Sequence, residues 1–329
     1  MYIKLSPLVH IEIVVKDAEA AYQFLHQSFG AEKIQEEFAA FLDSDFARII
    51  HVGLGNVVLQ FVQPILEQYS WYEQMKSKGP GVHNLTFIVE DIRKTVQALQ
   101  QEEISTLIEF PLAWGDLIGK DNVRQDAKPV FMMETMNKLG FHLELTESPY
   151  MEETTSVLSP PQTLIGRVSP MLHIELVVND IDETYSLLHK IFGSEKVEIE
   201  FASFLDSPFM RIMHVNLSNV VLQYCQPLAE QGSWYEQLKT KGPGVHNITF
   251  VVPDMAATMS DVEKAGGKDL FTFPLDWGRL VGPENVKPEI APVHMINAMD
   301  IVGFHIELGE RPTDKPLDFL FCDINGFPK

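Results

Sequence analysis

The sequence predicts an α+β protein made of two tandem domains, each built from two βαβββ units. The first observation behind this is a duplication: His10 in LVHIEIVV is matched by His173 in MLHIELVV, an offset of 173 − 10 = 163 residues. The strings SWYEQ and KGPGVHN recur at the same offset. The second observation is that strand-like and helix-like segments follow one another in the same order in both copies. A period this long indicates a duplicated domain rather than a solenoid.

The elements of the first copy follow from its apolar periodicity. Alternation over residues 11–15 predicts a strand, and Asp17 then caps a helix that ends at Gly30. Asp91 caps a second helix, and Asp180 and Asp254 repeat both caps in the second copy. The other strands of the first copy are predicted at 33–37, 47–52, 56–63, 82–89, 106–109, 129–135 and 141–145.

The domain boundaries follow from the repeat and from composition. The first domain is predicted at 1–147 and the second at 169–311, with a linker at 148–168 that contains Ser159-Pro160-Pro161. A tail at 312–329 follows the second copy. With 45% hydrophobic residues, each half can form its own core. The short connections favour closure of each cavity within one copy.

Composition narrows the classes of partner and location. The formal net charge is −21 and no basic tract is present, which disfavours nucleic acid and anionic membranes as partners. No long apolar run or signal-peptide pattern appears, and the two cysteines form no cluster. We therefore expect a cytoplasmic monomer or homodimer that acts on a small molecule and does not bind a membrane.

Polar side chains fall on one face of several predicted strands. His10 and Glu12 share a face of the first strand, because residues two apart point the same way. If the apolar faces pack under helices, each copy gathers six such side chains in one interior cavity. In the first copy these are His10, Glu12, Gln60, His83, His142 and Glu144, and in the second His173, Glu175, Gln223, His246, His305 and Glu307. By parity, His83 shares its face with Leu85 and Phe87.

A cluster of imidazoles and carboxylates on rigid strands suits a divalent transition metal. Because no cysteine joins the cluster, a thiolate zinc or iron–sulfur site is disfavoured. Mixed nitrogen and oxygen ligands leave Fe, Mn, Co, Ni and Zn open, with up to two ions per chain. The aromatic stretch at 38–46 could wall a pocket beside the cluster.

The motifs resemble those of the vicinal oxygen chelate superfamily, which includes glyoxalases, epimerases and extradiol dioxygenases. The resemblance rests on the spacing of His10, Gln60, His83 and Glu144, on GPGVHNLTFIVEDI and on GFHLEL. It implies that each domain is a half-open β-barrel with helices outside. It also implies two metal sites, held by His10, Gln60, His83 and Glu144 and by His173, Gln223, His246 and Glu307. The glutamine ligand is similar to that of the epimerase branch.

One departure from the epimerases concerns the proton-transferring group. Where those relatives carry a carboxylate on the third strand, this chain has Arg48 and, in the second copy, Arg211. Glu12 and Glu175 place an extra carboxylate near the metal and are the leading candidates for proton transfer. A salt bridge between Glu12 and Arg48 is the alternative interpretation. His142 and His305 are further candidates for a supporting or catalytic role.

The resemblance implies a metal-dependent lyase or isomerase that acts on a small carbonyl or hydroxy-carbonyl compound through a metal-stabilised enolate. Two alternatives stay open. One is an Fe(II) extradiol-type ring-cleaving dioxygenase, and the other is a drug-binding resistance protein without enzymatic activity. All three share one fold, so the fold alone does not choose among them.

Overall fold

The computed structural model describes residues 2–151, 158–161 and 163–313. The first domain contains β1 (His10–Val14), α1 (Ala18–Phe29), β2 (Glu32–Lys33), α2 (Glu36–Leu42), β3 (Ala47–Leu54), β4 (Val57–Pro64), α3 (Tyr69–Ser77), β5 (Gly81–Ile88), α4 (Ile92–Gln101), β6 (Thr106–Phe110), α5 (Trp114–Ile118), β7 (Val130–Met133), α6 (Met136–Leu139) and β8 (His142–Thr146).

The second domain repeats the same order of elements. It contains β9 (His173–Val177), α7 (Ile181–Phe192), β10 (Lys196–Val197), α8 (Ile199–Leu205), β11 (Met210–Leu217), β12 (Val220–Pro227), α9 (Gly232–Lys241), β13 (Gly244–Val252), α10 (Met255–Lys264), β14 (Asp269–Phe273), α11 (Trp277–Val281), β15 (Val293–Ile296), α12 (Met299–Val302) and β16 (His305–Glu310). The predicted fold class, two tandem α+β domains of two βαβββ units each, is therefore confirmed.

Each domain forms its own eight-stranded mixed sheet. In the first, the strand order is β2-β3-β4-β1-β5-β8-β7-β6, and the second sheet follows the same order. The two βαβββ units of a domain join where β1 pairs antiparallel with β5. Units therefore pair within a copy and are not exchanged between copies. The register sets His10 opposite Thr86 and Glu12 opposite Asn84, which places these four residues on the same face of the sheet.

The other face of the first sheet is the apolar core. Ile11 and Ile13 on β1, and Leu85 and Phe87 on β5, are fully buried in one cluster with side chains of α1 such as Leu25. The helix begins where predicted, since the Asp17 side chain accepts a hydrogen bond from the Ala20 amide. The caps predicted at Asp91, Asp180 and Asp254 also accept backbone hydrogen bonds from the first turns of their helices.

Four helices of the first domain, α2, α3, α5 and α6, were not predicted from the sequence. The strand predicted at 33–37 ends at Lys33, and α2 begins at Glu36. Phe38 and Ala39 on α2 are buried in two different apolar clusters. The helix α3 covers the SWYEQ string. Both α2 and α3 flank the polar face of the sheet and form walls of the cavity described below.

The domains pack against each other with approximate two-fold symmetry. The Leu8 amide donates to the Asn219 side chain, and the equivalent Met171 amide donates to the Asn56 side chain, both at 2.8 Å. In the predicted linker, Ile165 pairs with Gly55 of the first domain and Leu158 is buried. The exact boundaries of the domains stay predictions, and most of the tail at 312–329 lies outside the described residues.

No helix among the residues that the structure describes is long and apolar enough to cross a membrane.

Candidate functional site

Each sheet bears a cavity on its polar face. The first cavity has a volume of about 480 Å³, and its floor contains His10, Glu12, Gln60, Thr86 and Glu144. The second has a volume of about 300 Å³, with His173, Glu175, Gln223, Thr249 and Glu307 in the equivalent places. Four of the six polar side chains predicted for each copy thus line one cavity. The two that do not are His83 and His142, and their equivalents His246 and His305.

His10 on β1, Thr86 on β5 and Glu144 on β8 form the first of two hydrogen-bonded groups on the floor of the first cavity. Thr86 Oγ1 lies 2.9 Å from His10 Nε2 and donates to Glu144 Oε1 at 3.2 Å. His10 Nε2 and Glu144 Oε1 are 3.8 Å apart. Burial, together with the nearby charge of Glu12, raises the pKa of Glu144 to about 8. Burial also lowers the pKa of His10 well below its usual value, so its imidazole is neutral.

The second group surrounds the Glu12 carboxylate. Oε1 accepts a hydrogen bond from Trp71 Nε1 at 2.6 Å, and Oε2 accepts one from Gln60 Nε2 at 2.7 Å. His83 Nδ1 lies 3.0 Å from Oε1. The amide oxygen of Gln60 is in turn 2.8 Å from His51 Nε2. Glu12, only 2% exposed, is therefore a buried carboxylate whose hydrogen-bonding capacity is largely satisfied.

The second domain reproduces this arrangement. Glu175 accepts hydrogen bonds from Trp234 Nε1 at 2.6 Å and from Gln223, and His246 Nδ1 lies 3.1 Å from it. Burial alone would raise the pKa of Glu175, but the contacts with His246 and Trp234 outweigh burial and hold it below the usual value. Because the two copies differ at many other positions, the recurrence of the same contacts indicates that the group is a constant feature of the site.

His83 and His142 lie on the far side of Glu12 from the cavity. The pairing of β1 with β5 shifts register between Glu12 and Ile13, which leaves His83 without an opposite residue on β1 and lets its side chain turn to Glu12. The parity prediction that grouped His83 with Leu85 and Phe87 was wrong for this reason: those two residues enter the core, whereas His83 turns to Glu12.

The two histidines line a separate, polar pocket of about 500 Å³ with Lys78 and Glu134. Their ring centroids are 4.9 Å apart, and His142 Nδ1 is 3.7 Å from Glu134 Oε1. Within the described part of the chain, the buried His83 Nε2 has no hydrogen-bond partner. Burial and the neighbouring His83 lower the pKa of His142 to about 3. In the second domain, His246 Nε2 is 3.1 Å from the Ser233 hydroxyl, and the pKa of His305 falls to about 4 for the same reasons.

His10 and Glu144 are close enough together to bind one divalent metal ion. Histidine and carboxylate ligands lie about 2.0–2.2 Å from such an ion, so two ligands of one ion are at most about 4 Å apart. The 3.8 Å between His10 and Glu144 meets this condition. Gln60 also lines this cavity, but its side-chain oxygen is 2.8 Å from His51 Nε2, so its side chain would have to turn for that oxygen to reach an ion. Among the described residues, no three His, Cys, Asp or Glu side chains cluster around one point.

Several residues of the site were not singled out from the sequence. Thr86 was overlooked because it follows a buried Leu85, although its alternation with that residue places it toward the cavity. Trp71 lies in the repeated SWYEQ string, and its indole N–H donates a hydrogen bond to Glu12. Arg48 does not pair with Glu12 as considered: it lies half-exposed, 3.6 Å from Glu19.

The fold and the site define a duplicated α+β protein with a polar-floored cavity in each domain. The chain belongs to the glyoxalase/bleomycin resistance protein/dioxygenase superfamily, whose family model matches residues 9–113 and 172–273. These two regions cover more than half of the chain, one in each domain. The family resemblance stated from the sequence is thereby confirmed.

Known proteins resemble the chain at the level of fold. The uncharacterized protein YqjC of Bacillus subtilis (strain 168) is 25% identical to this chain over 116 residues. The match covers 32% of this chain and 74% of YqjC. A mutant of 4-hydroxymandelate synthase from Streptomyces coelicolor matches with a TM-score of 0.61 and 13% identity, covering 98% of both chains. The Mn(II)-bound glyoxalase from Novosphingobium aromaticivorans matches with a TM-score of 0.54 and 10% identity over 95% of this chain and 85% of that one.

Proposed function

We propose that the protein is a metal-dependent lyase or isomerase that acts on a small carbonyl or hydroxy-carbonyl compound, with one site in each domain. The observation that carries the proposal is the pairing of His10 with Glu144, 3.8 Å apart on the floor of an otherwise apolar cavity. The second domain supplies the equivalent pair, His173 and Glu307, at its own cavity. A superfamily that includes glyoxalases supports this class of reaction.

We assign a divalent transition metal (Fe, Mn, Co, Ni or Zn) to His10, Gln60 and Glu144 in the first site and to His173, Gln223 and Glu307 in the second. When bound, such an ion polarises a substrate carbonyl and makes the adjacent C–H bond more acidic. Coordination by His83 and His246 stays a prediction. The geometry supports a different role for them, because each ring contacts a carboxylate behind the cavity.

Proton transfer is assigned to Glu12 and Glu175, which line the cavities. In the first site, Trp71 and Gln60 orient the Glu12 carboxylate by hydrogen bonds to both oxygens. His83 Nδ1 lies 3.0 Å from Glu12 Oε1 and 2.8 Å from Asn84 Oδ1, so the ring donates to these oxygens and can give its Nδ1 proton to Glu12 only if Nε2 takes up another from the polar pocket. His83 opens on the polar pocket that it shares with His142, and this pocket connects the buried carboxylate with the outside. His142 and His305 are therefore assigned a supporting role in proton exchange.

The proposal is tested by proton exchange between a substrate analogue and solvent. The metal-loaded chain is incubated with hydroxyacetone and with 2-hydroxyacetophenone in D₂O, and deuterium at the carbon beside the ketone is followed by NMR. We expect catalysed exchange in the parent, and a loss of about 10²–10⁴-fold in the double variant Glu12→Gln, Glu175→Gln with metal content retained. Exchange that is unaffected by this variant would contradict the assignment. Consumption of O₂ with an iron-loaded chain would instead support the dioxygenase alternative.

A further inference from the structure

The walls of the first cavity are almost entirely apolar. Aromatic rings from α2, β6 and α5 enclose it together with two aliphatic side chains. These residues are Phe38, Phe41, Phe110, Trp114, Met132 and Leu158. The second cavity has the same character, with Phe201, Phe273 and Trp277 among its lining residues. Walls of this kind contribute binding free energy by burying apolar surface of a ligand rather than by hydrogen bonds.

Apart from His10 and His173, whose pKa values burial lowers, the ionisable side chains of the cavities are acidic. Among the described residues that line either cavity, none is lysine or arginine, whereas Glu12, Asp43 and Glu144 line the first and Glu175 and Glu307 the second. Arg48 lies outside, against Glu19, and Lys78 faces the separate polar pocket. A divalent ion would only balance the two buried glutamates of its site. A ligand carboxylate or phosphate would therefore enter without a counter-charge, which burial makes unfavourable.

The two cavities differ at several equivalent positions: Tyr69 and Thr146 of the first correspond to glycines in the second, whereas Ala47 and Ile108 correspond to the larger Met210 and Phe271. Ile108 of the first cavity corresponds to Phe271 of the second, since 271 − 108 = 163. Phe271 packs against Trp234, with ring centroids 5.7 Å apart, and Trp234 itself stacks on His246 at 5.0 Å. Phe271 and Met210 both fill part of the second cavity, whose volume is about 300 Å³ against about 480 Å³ for the first.

We propose that both cavities take an uncharged molecule with an aromatic or aliphatic body and an oxygen-bearing end, and that Phe271 restricts the second cavity to a smaller body than the first accepts. Only one part of this inference rests on the proposed function, namely that the oxygen-bearing end of the ligand lies at the cavity floor. The apolar walls and the absence of cationic side chains among the described lining residues carry the rest.

Binding to the metal-free full-length chain tests the charge preference without requiring catalysis. Isothermal titration calorimetry compares 2-hydroxyacetophenone, which is uncharged, with benzoylformate, an anion of similar size. We expect about two molecules of the ketone per chain, and binding of benzoylformate weaker by at least about tenfold. Absence of ketone binding, or benzoylformate bound equally well, overturns the proposal.

Reciprocal substitutions test the size preference. The probe is the naphthyl counterpart of the same hydroxyketone, expected to bind about once per parent chain. Phe271→Ile should raise this stoichiometry to about two, and Ile108→Phe should abolish binding while leaving the phenyl ketone bound. Circular dichroism and an unchanged Tm control for folding. Naphthyl binding at two sites of the parent, or no effect of either exchange, would contradict the role of Phe271.

The outcomes separate this inference from the proposed function. Ketone binding by a chain that takes up no metal leaves the inference standing and removes the lyase or isomerase proposal. Preferential binding of benzoylformate by a chain that holds two metal ions would overturn the inference about uncharged ligands and leave the lyase or isomerase proposal standing.

Discussion

His10 and Glu144 face each other from β1 and β8 across the Thr86 hydroxyl, with 3.8 Å between the imidazole Nε2 and the nearest carboxylate oxygen. The two strands are not neighbours in the sheet, because β5 lies between them and contributes the threonine. A neutral imidazole and a carboxyl group whose pKa is raised to about 8 lie here without a cationic partner among the lining residues described. A bound cation would stabilise the ionised carboxylate, and this makes the pair the centre of our account.

Removal of metal is expected to lower the thermal stability of the protein. A ligand that binds the native state and not the unfolded chain adds to the free energy of unfolding, by about 3–4 kcal/mol at 100 to 1,000 times its Kd. Treatment with a chelator should therefore lower Tm, and adding back a divalent metal should restore it. The comparison is made by calorimetry. The double variant His10→Ala, His173→Ala serves as control and should show the same Tm with and without chelator.

Trp71→Phe is expected to lower kcat more than it raises KM. The substitution keeps an aromatic ring but removes the N–H that donates to Glu12 at 2.6 Å, so the carboxylate loses part of its orientation. Loss of a hydrogen bond to a buried carboxylate should also lower the free energy of unfolding by about 1–3 kcal/mol, measured in urea.

A matched control is Trp114→Phe, in the wall of the same cavity. Trp114 packs near Phe38 with ring centroids 6.1 Å apart, so its replacement should affect KM more than kcat. Equal changes of kcat in the two variants would show that Trp71 acts through packing alone.

Asp17→Ala is expected to lower stability without affecting the metal site. The side chain caps α1 by accepting a hydrogen bond from the Ala20 amide at 2.9 Å, and loss of such a cap costs about 1 kcal/mol. Urea unfolding gives the change, and metal content should stay as in the parent. Asp300→Ala breaks only an exposed ion pair with Lys16 and should change stability by less than about 0.5 kcal/mol. A larger effect of Asp300→Ala than of Asp17→Ala would contradict the capping argument.

Much of the fold follows from the sequence because the repeat fixes two domains and the apolar alternation fixes most strands. On β1, the alternation of His10 and Glu12 with Ile11 and Ile13 was enough to place polar side chains on one face and the core on the other. The fold also fulfils the expectation that each cavity closes within one copy. The helices α2, α3, α5 and α6 were missed because each has at most nine residues, too few for a clear helical periodicity of apolar residues.

The site was less predictable than the fold, and His83 shows why. Parity arguments assume an uninterrupted strand, whereas the pairing of β5 with β1 shifts beside Glu12. This one-residue irregularity places His83 behind Glu12, whereas Thr86 faces the cavity by ordinary alternation with the buried Leu85. The partners of Glu12 were unpredictable for another reason: Trp71 lies on a helix 59 residues away, and only the tertiary structure brings it to the carboxylate.

Metal content per chain, measured by elemental analysis of protein purified without a chelator or an affinity metal, tests whether each domain holds one ion. We predict about two divalent ions per parent chain and about one in each of the single variants His10→Ala and His173→Ala. His142→Ala, assigned to proton exchange rather than coordination, should retain two, and His83→Ala tests the predicted coordination by that residue. A parent chain that carries no metal and takes up none on reconstitution would contradict the account.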